Sequence, residues 1–345
     1  MLTSRTVYAL LAAVGITAIL MACAVLLMRA LLNLRTRREA RCLAIWEPIL
    51  LEATQSGPPA VLPNLAGVDV MTFLGIWNHL QESVVGLASD GLNDVARRVG
   101  VPAAAARRLR YGNLREKLTA IVTLGQLRER AAWAVLCTYS RVADVSLSLA
   151  AARALVHIDP AAAVKHLMPL VLARADWPAA RVATLLLALG PDLVSEPLAA
   201  AALAAPPDHA PRLIRYLDAI HAETAIPAVR RIIHLTDDLE VITACLRVLE
   251  DPEDLGIVRA CCEDPRWPIR VQAAAALGRI GLREDVPRLR RLLSDAEWWV
   301  RHRAAQALCT VLIAEPEALD QLAATHYNEF ARDALIQVRA EMRLH

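Results

Sequence analysis

Residues 264–281 read DPRWPIRVQAAAALGRIG, and residues 295–309 read DAEWWVRHRAAQALC. The two stretches align with one constant offset along the chain. The matching pairs are Asp264 with Asp295, Trp267 with Trp298, Ile269 with Val300, Arg270 with Arg301, Ala273 with Ala304 and Leu277 with Leu308. So many matches at one offset indicate an internal repeat.

A recurring leucine extends this repeat through more than half of the chain. Counting back from Leu308, the same offset reaches Leu277 and then Leu246. A slightly shorter offset reaches Leu217, and the original offset then reaches Leu186, Leu155 and Leu124 in turn. Each unit reads as two short amphipathic helices joined by a turn, and one such pair cannot bury its apolar face alone. The sequence therefore predicts an all-α fold, a solenoid of about seven stacked helix pairs.

Each motif position has a physical role in such a stack. The turn aspartate can accept hydrogen bonds from backbone N–H groups at the start of the next helix. The alanines allow close approach of helices, the arginines can reach an aspartate of their own or the neighbouring repeat, and Trp298 is expected to pack between repeats. The residues with a predicted structural role are Asp264, Trp267, Arg270, Leu277, Asp295, Trp298, Arg301 and Leu308.

The stretch Ile269–Gly278 resembles the HEAT-repeat family, in the short form also found in phycobilin-lyase-type HEAT-like proteins. The resemblance extends over roughly residues 112–345, although the period is shorter than the ~40 to 47 residues usual for HEAT units. It implies a helical array, here residues 112–345, that binds other proteins. Residues 35–111 are predicted to form a juxtamembrane linker and capping helices that close the first open face of the array.

An N-terminal stretch predicts a membrane anchor within residues 1–34. The run from Thr6 to Met28 carries no charge, and as a helix it would extend ~35 Å at ~1.5 Å per residue, enough for a ~30 Å hydrocarbon core. Arginines dominate the C-terminal side, which predicts a single pass through the inner (cytoplasmic) membrane with the array in the cytoplasm. The arginines expected at anionic headgroups are Arg35, Arg37, Arg38 and Arg41.

Two other interpretations of this stretch remain open from sequence. It could be a cleaved signal peptide, although it is long for one and shows no clear cleavage site. It could also be a lipoprotein signal ending at Leu20-Met21-Ala22-Cys23, which would make the chain an envelope-side lipoprotein interaction module. An oxidising compartment would then surround the cysteines.

Composition and motifs argue against catalysis. With 38 basic and 36 acidic residues, the net charge of +2 gives no field that would attract nucleic acid. The seven cysteines form no disulfide or zinc pattern, and the histidines are dispersed. Nucleophile, phosphate-loop and dinucleotide motifs are absent, so we expect no enzyme, cofactor, metal or small-molecule substrate. His157 and His166 beside Asp159 fit surface histidines near a capping aspartate.

The sequence predicts a scaffold or adaptor for a protein partner. Trp299 follows Trp298 on the same helix and so points to another face, where it could anchor a partner. The other candidate partner-binding residues are Arg288, Arg290, Arg291, Arg230 and Arg231. An enzymatic alternative is a HEAT-like enzyme, either bilin-lyase-like or DNA-glycosylase-like, the second using Trp267, Asp264 and Arg270.

The whole chain also resembles bacterial single-pass HEAT-repeat proteins that accompany membrane-embedded family 2 glycosyltransferases in exopolysaccharide systems. The features that carry this resemblance are the N-terminal helix, the segment Trp77-Asn78-His79-Leu80-Gln81 and the array. It implies that the partner is an integral membrane protein, with the chain as its accessory subunit in exopolysaccharide synthesis or secretion.

Overall fold

The computed structural model describes residues 4–55, 57–84 and 87–343, with side chains for 20–55, 57–84, 89–217, 219–315 and 317–341. In this part of the chain the regular structure is α-helices and short 3-10 helices, without strands. The helices group into two compact units, residues 1–159 and residues 160–345. The predicted all-α class is confirmed.

Unit 1 is residues 1–159. Its helices are α1 (Ser4–Gln55), α2 (Val70–Ser83), α3 (Leu87–Arg98), α4 (Val101–Tyr111), α5 (Leu114–Gln126), α6 (Trp133–Tyr139) and α7 (Val145–Ile158), with a 3-10 turn at Arg130–Ala132 before α6. Asn113 begins α5 with a capping box, since its side chain accepts from the Glu116 N–H and the Glu116 carboxylate accepts from the Asn113 N–H. Helices α5 and α7 pack side by side as second helices of neighbouring pairs.

The long helix α1 has two different parts. Every side chain from Leu20 to Leu34 is exposed, although most of them are apolar. From Cys42 onward a stripe of buried side chains, Cys42, Trp46, Leu50 and Ala53, packs into the core of unit 1. The spacing of three and four residues places this stripe on one face of the helix, which lies against α2 and α3.

The predicted membrane segment falls on the first part of α1. Among the described residues, no helix combines the length and the apolar character that a membrane span requires. The predicted span Thr6–Met28 lies largely on residues 6–19, whose side chains are outside the described part of the chain. Of the arginines that follow, Arg35 forms an exposed ion pair with Glu39 at 3.1 Å, and Arg37, Arg38 and Arg41 are exposed.

Unit 2 is residues 160–345. Its helices are α8 (Pro160–Ala173), α9 (Ala179–Leu189), α10 (Pro191–Ala204), α11 (Ala210–Ile214), α12 (Ala222–Leu235), α13 (Leu239–Val248), α14 (Leu255–Cys261), α15 (Trp267–Ile280), α16 (Val286–Leu292), α17 (Trp298–Val311), α18 (Pro316–Thr325) and α19 (Glu329–Arg343). Its 3-10 turns are Leu217–Ala219, Pro252–Asp254 and Arg283–Asp285. Consecutive second helices pack together, α13 on α15, α15 on α17 and α17 on α19, which is the arrangement of an α-solenoid.

The marker leucines confirm the predicted repeat. All seven are buried, and six lie on the second helix of a pair. The exception is Leu217, which lies in a 3-10 turn after the short helix α11. This irregular repeat is also the one from which the step to the next marker, Leu246, is the shortest of the series.

Glycine and alanine set the spacing between second helices. A Cβ atom added at Gly278 in α15 would lie 3.2 Å from Cα of Ala307 in α17. At the equivalent contact in unit 1, a Cβ on Gly125 in α5 would lie 2.7 Å from Cα of Ala154 in α7. The alanine positions therefore act as predicted, because larger side chains would push the backbones apart.

Candidate functional site

Arginine and aspartate link the second helices α15 and α17 at their N-terminal ends. Arg270 in α15 donates through Nε to Oδ2 of Asp295 at 2.7 Å and through Nη2 to Oδ1 at 2.9 Å. Its Nη1 also donates to the carbonyl oxygens of Asp264 and Pro265. The bidentate pair joins one repeat to the next, as the sequence predicted for Arg270.

Arg301 makes the same contacts with backbone carbonyl groups as Arg270, but not the ion pair with the next repeat. Its Nη1 donates to the carbonyl oxygens of Asp295 and Ala296 at 2.8 and 2.7 Å. His326 occupies the position that corresponds to Asp295 one repeat later, so the next repeat offers no carboxylate there. The guanidinium of Arg301 instead lies over the ring of Phe330, with Cζ 5.5 Å from the ring centroid.

The turn aspartates accept the predicted backbone hydrogen bonds. Asp264 Oδ1 accepts from the Arg266 N–H at 2.8 Å, and Asp295 Oδ1 accepts from the Glu297 N–H at 3.0 Å. The Arg266 side chain also binds Asp264 and reaches Asp237 at 3.0 Å. These contacts hold the turns before α15 and α17 in place.

A second row of ion pairs links the first helices, and here two carboxylates are fully buried. Arg230 in α12 binds Asp254 at 2.5 Å, and Arg259 in α14 binds Asp285 at 2.6 Å. Both aspartates end the 3-10 turn before a first helix, at the same position of successive repeats. Arg288 adds a contact to Asp285 at 3.3 Å.

Acid is expected to weaken these contacts. Hydrogen bonds from Arg266 lower the pKa of Asp264. Burial acts to raise the pKa of Asp285 and of Asp295, but the hydrogen bonds from Arg259 and Arg270, the backbone hydrogen bonds and the nearby arginine charges together outweigh it, and both pKa values are lowered. Since the folded-state pKa values lie below the usual ~3.9, the three aspartates stabilise the fold above about pH 4, and this is lost as the pH falls through the lower folded values.

Thermal unfolding between pH 7 and pH 2 tests this dependence. We expect the contribution of these groups to be constant from pH 7 to about pH 5, and then to fall below about pH 4. The variant Asp295→Asn removes one of the titrating carboxylates, so it should lose less stability over the acid range than the original chain. An equal loss in both would contradict the assignment.

Four exposed aromatic rings lie along the N-terminal ends of α15, α17 and α19, and we call them the aromatic edge. They are Trp267, Trp298, Trp299 and Phe330, with exposed fractions of 41%, 42%, 57% and 59%. Trp298 packs edge-on against Trp299 at 4.6 Å between centroids and stacks on His302 at 4.9 Å. The contacts of Arg270 and Arg301 join the three helix ends, so the rings share one edge of unit 2.

Trp267 and Trp298 are the first residues of α15 and α17. The ring contacts of Trp298 are with Trp299 and His302 on its own helix, and 42% of the residue is exposed, so packing between repeats stays a prediction for it. The spaces between these helices are filled by Ile269, Val300 and the alanines that follow them, which are buried. Trp299 is exposed, as the sequence suggested, but it is one of the four rings of the aromatic edge and not an isolated one.

The candidate partner-binding arginines fall into two groups. Arg230 and Arg288 take part in the buried ion pairs described above, so their charges are already matched within the chain. Arg231, Arg290 and Arg291 are exposed, and Arg291 approaches Glu263 at 3.5 Å. Helical spacing alone does not separate these groups, because it does not show which arginine faces the turn that carries Asp254 or Asp285.

Sequence reasoning missed Phe330 and Tyr327. Phe330 stands one repeat after Trp299, so extending the repeat by one more unit would have found it. Tyr327 is exposed, and its hydroxyl donates to the Ser294 hydroxyl at 2.9 Å. It therefore continues the aromatic character of the edge towards the turn before α17.

No group of three or more metal-binding side chains comes together in the part of the chain that the structure describes. Burial raises the pKa of the Cys245 and Cys262 thiols to about 12. At neutral pH these two groups are protonated and unsuited to nucleophilic chemistry. Partial desolvation and the positive charges of Arg153 and Arg128 lower the pKa of His157.

Comparison with known families supports the repeat assignment. Residues 255–338 match the family described as HEAT repeats. The HEAT match covers about a quarter of the chain. It includes all of the aromatic edge and the Arg270–Asp295 pair. No match is found among curated protein sequences.

Two solved structures are similar to the chain at low identity. One is Kap121p bound to RanGTP, with 12% identity and a TM-score of 0.42, covering 87% of this chain and 43% of that one. The other is an engineered protein, with 15% identity and a TM-score of 0.33, covering 86% of this chain and 88% of that one. The chain thus spans less than half of the length of Kap121p.

Proposed function

We propose that this protein is a membrane-anchored scaffold whose HEAT repeats bind a protein partner through the aromatic edge. The observation that carries the proposal is the row of four exposed rings, three of them tryptophan. Tryptophan is enriched among the residues that dominate binding energy. Four exposed rings along one edge are therefore a stronger indication of an interface than scattered apolar side chains.

The ion pairs around the edge support this role because they fix its geometry. Arg270 joins the starts of α15 and α17, and Arg301 lies over Phe330. Rings that are held in place before binding lose less conformational freedom on association. The edge is thus a preorganised surface.

The anchor rests on the sequence of α1. Its support is the uncharged run Thr6–Met28, the arginines at 35–41 and the exposed apolar part from Leu20 to Leu34. A helix that is apolar on all sides needs an apolar environment. We place the repeats on the cytoplasmic side of the inner membrane, where the arginines contact anionic headgroups.

The partner proposed is an integral membrane protein. Anchoring confines both proteins to two dimensions and raises their effective concentration. The more specific proposal, an accessory subunit of a membrane-embedded family 2 glycosyltransferase in exopolysaccharide synthesis or secretion, rests on sequence resemblance alone.

Affinity purification of the C-terminally tagged full chain in mild detergent, followed by mass spectrometry, tests the scaffold. We expect a stoichiometric membrane protein in the original chain and a loss of binding on the order of 30-fold for Trp299→Ala, as for a binding hot spot of about 2 kcal/mol. Because Trp299 is exposed, the same variant should change stability by no more than about 0.5 kcal/mol.

Ile313→Ala provides the matched control, since Ile313 is another exposed apolar residue, located after α17 and outside the edge. It should retain the partner. Equal binding by Trp299→Ala and Ile313→Ala would exclude the edge as the interface. Retention of the partner after residues 1–41 are replaced by an unrelated anchor would assign binding to the body of the chain, whereas its loss would assign binding to α1.

A further inference from the structure

A second surface that suits a partner lies in unit 1, between α4 and α6. These are the first helices of two consecutive pairs, and between them is an open groove with a volume of about 820 Å³. Alanine side chains, Ala103 and Ala106 on α4 and Ala131 before α6, line it together with Val135 on α6. The buried side chain of Leu124 from α5 forms part of its floor.

The lining residues have helical spacing on both sides. On α4 they include Ala103, Ala106 and Arg110, and on the other side they include Val135 and Tyr139, in steps of three or four residues. Such rows are the ridges that receive the side chains of a packed helix. Because Ala103 and Ala106 have short side chains, the backbone of a third helix could approach the α4 wall closely.

One end of the groove is fixed by a hydrogen bond. The Tyr139 hydroxyl donates to the carbonyl oxygen of Leu109 at 2.8 Å, which ties α6 to α4. Lys117 lies over the Tyr139 ring at 5.8 Å. The separation of the two walls is therefore set before anything binds, so binding does not have to order them.

The rim of the groove carries unmatched positive charge. Arg107 and Arg110 are both exposed, and within the described residues neither has a carboxylate partner. Glu129, the carboxylate found among the described lining residues, approaches Arg97 at 3.6 Å. This differs from unit 2, where arginines such as Arg230 are matched by buried aspartates.

We propose that the groove between α4 and α6 seats an amphipathic helix of a protein partner, with its apolar face on the alanines and its carboxylates facing Arg107 and Arg110. Helix binding in an apolar groove is a common mode of recognition, and charged flanks set the orientation. The proposal does not depend on the aromatic edge, because the two surfaces belong to different units.

Site-specific photocrosslinking tests the occupant. The photoreactive residue p-benzoylphenylalanine replaces Ala106 in the full chain, and crosslinked peptides from native membranes are identified by mass spectrometry. We expect one segment of a partner protein that is helical, apolar on one face and acidic on its flanks. The same residue at Ala134, which is exposed on α6 outside the groove lining, serves as the control and should not capture that segment.

Charge reversal completes the test. Arg107→Glu with Arg110→Glu should reduce capture at position 106 by at least about 10-fold. Arg107→Lys with Arg110→Lys should retain most of the capture, since lysine keeps the positive charge that the partner requires. Circular dichroism would establish that both variants are folded. Capture of lipid, of a second copy of this chain, of nothing, or of the same peptide at Ala134 would overturn the proposal.

Discussion

Trp77→Ala is expected to lower the free energy of unfolding of unit 1 by about 3–5 kcal/mol, the range for deleting a large buried aromatic side chain. Trp77 has no exposed surface and is among the largest fully buried side chains. Its indole N–H donates to the carbonyl oxygen of Leu92 at 2.9 Å, which joins α2 to α3. The substitution therefore leaves a cavity and removes the hydrogen bond that joins α2 to α3.

Hydrogen exchange of the full chain measures where this loss occurs. Amides of α2, α3 and the C-terminal part of α1 should exchange faster in Trp77→Ala, because their side chains form one core with Trp77. Trp77→Phe keeps an aromatic ring and should cost less. Unchanged exchange in α2 and α3 would show that Trp77 does not hold this core together.

The second large effect is expected for Arg230→Met, at about 3 kcal/mol of lost stability in unit 2, because breaking a buried ion pair by removing one partner typically costs about 3–5 kcal/mol. The change leaves Asp254, which is fully buried, without the guanidinium that lies 2.5 Å from it. The partial exposure of Arg230 argues for the lower end of the range.

Arg259→Met is the matched control for this prediction. It removes the equivalent arginine of the next repeat, but Asp285 keeps a contact with Arg288 at 3.3 Å and a hydrogen bond from the Leu282 N–H at 3.0 Å. The loss should therefore be smaller, about 1–2 kcal/mol.

A double variant separates the buried charge from the lost contact. Arg230→Met with Asp254→Leu should recover most of the stability lost by Arg230→Met, since no buried charge remains. Chemical unfolding of the full chain in detergent compares the original chain with the three variants. Equal losses for Arg230→Met and Arg259→Met would contradict this account.

The fold could be predicted because the repeat signal and the packing have the same physical origin. Leu277 and Leu308 recur at the repeat period because each fills the same space in successive layers, and both are fully buried. The turn aspartates could be predicted for the same reason, since their hydrogen bonds are local. Leu217 shows the limit, because apolar spacing alone does not reveal where a helix gives way to a 3-10 turn.

The candidate site was predicted less completely, because it depends on contacts between repeats. Trp267 and Trp298 are exposed because each stands at the first turn of a helix. From the sequence, their equivalent positions in the two repeats suggested that both rings are packed. In sequence, nothing distinguishes Arg230 from its exposed neighbour Arg231. The carboxylate that binds Arg230 comes from the turn before the next first helix, and only the fold brings such groups together.

The continuity of α1 has a consequence for how the body of unit 1 is oriented. The exposed apolar part and the packed stripe that begins at Cys42 belong to one uninterrupted helix, so no flexible loop separates them. Inserting one residue between positions 34 and 42 would rotate one part against the other by ~100°, whereas seven residues would nearly restore the phase and add ~10 Å of length. The helix thus fixes the rotational orientation of unit 1 about the α1 axis, and with it the side of unit 1 that faces a neighbour.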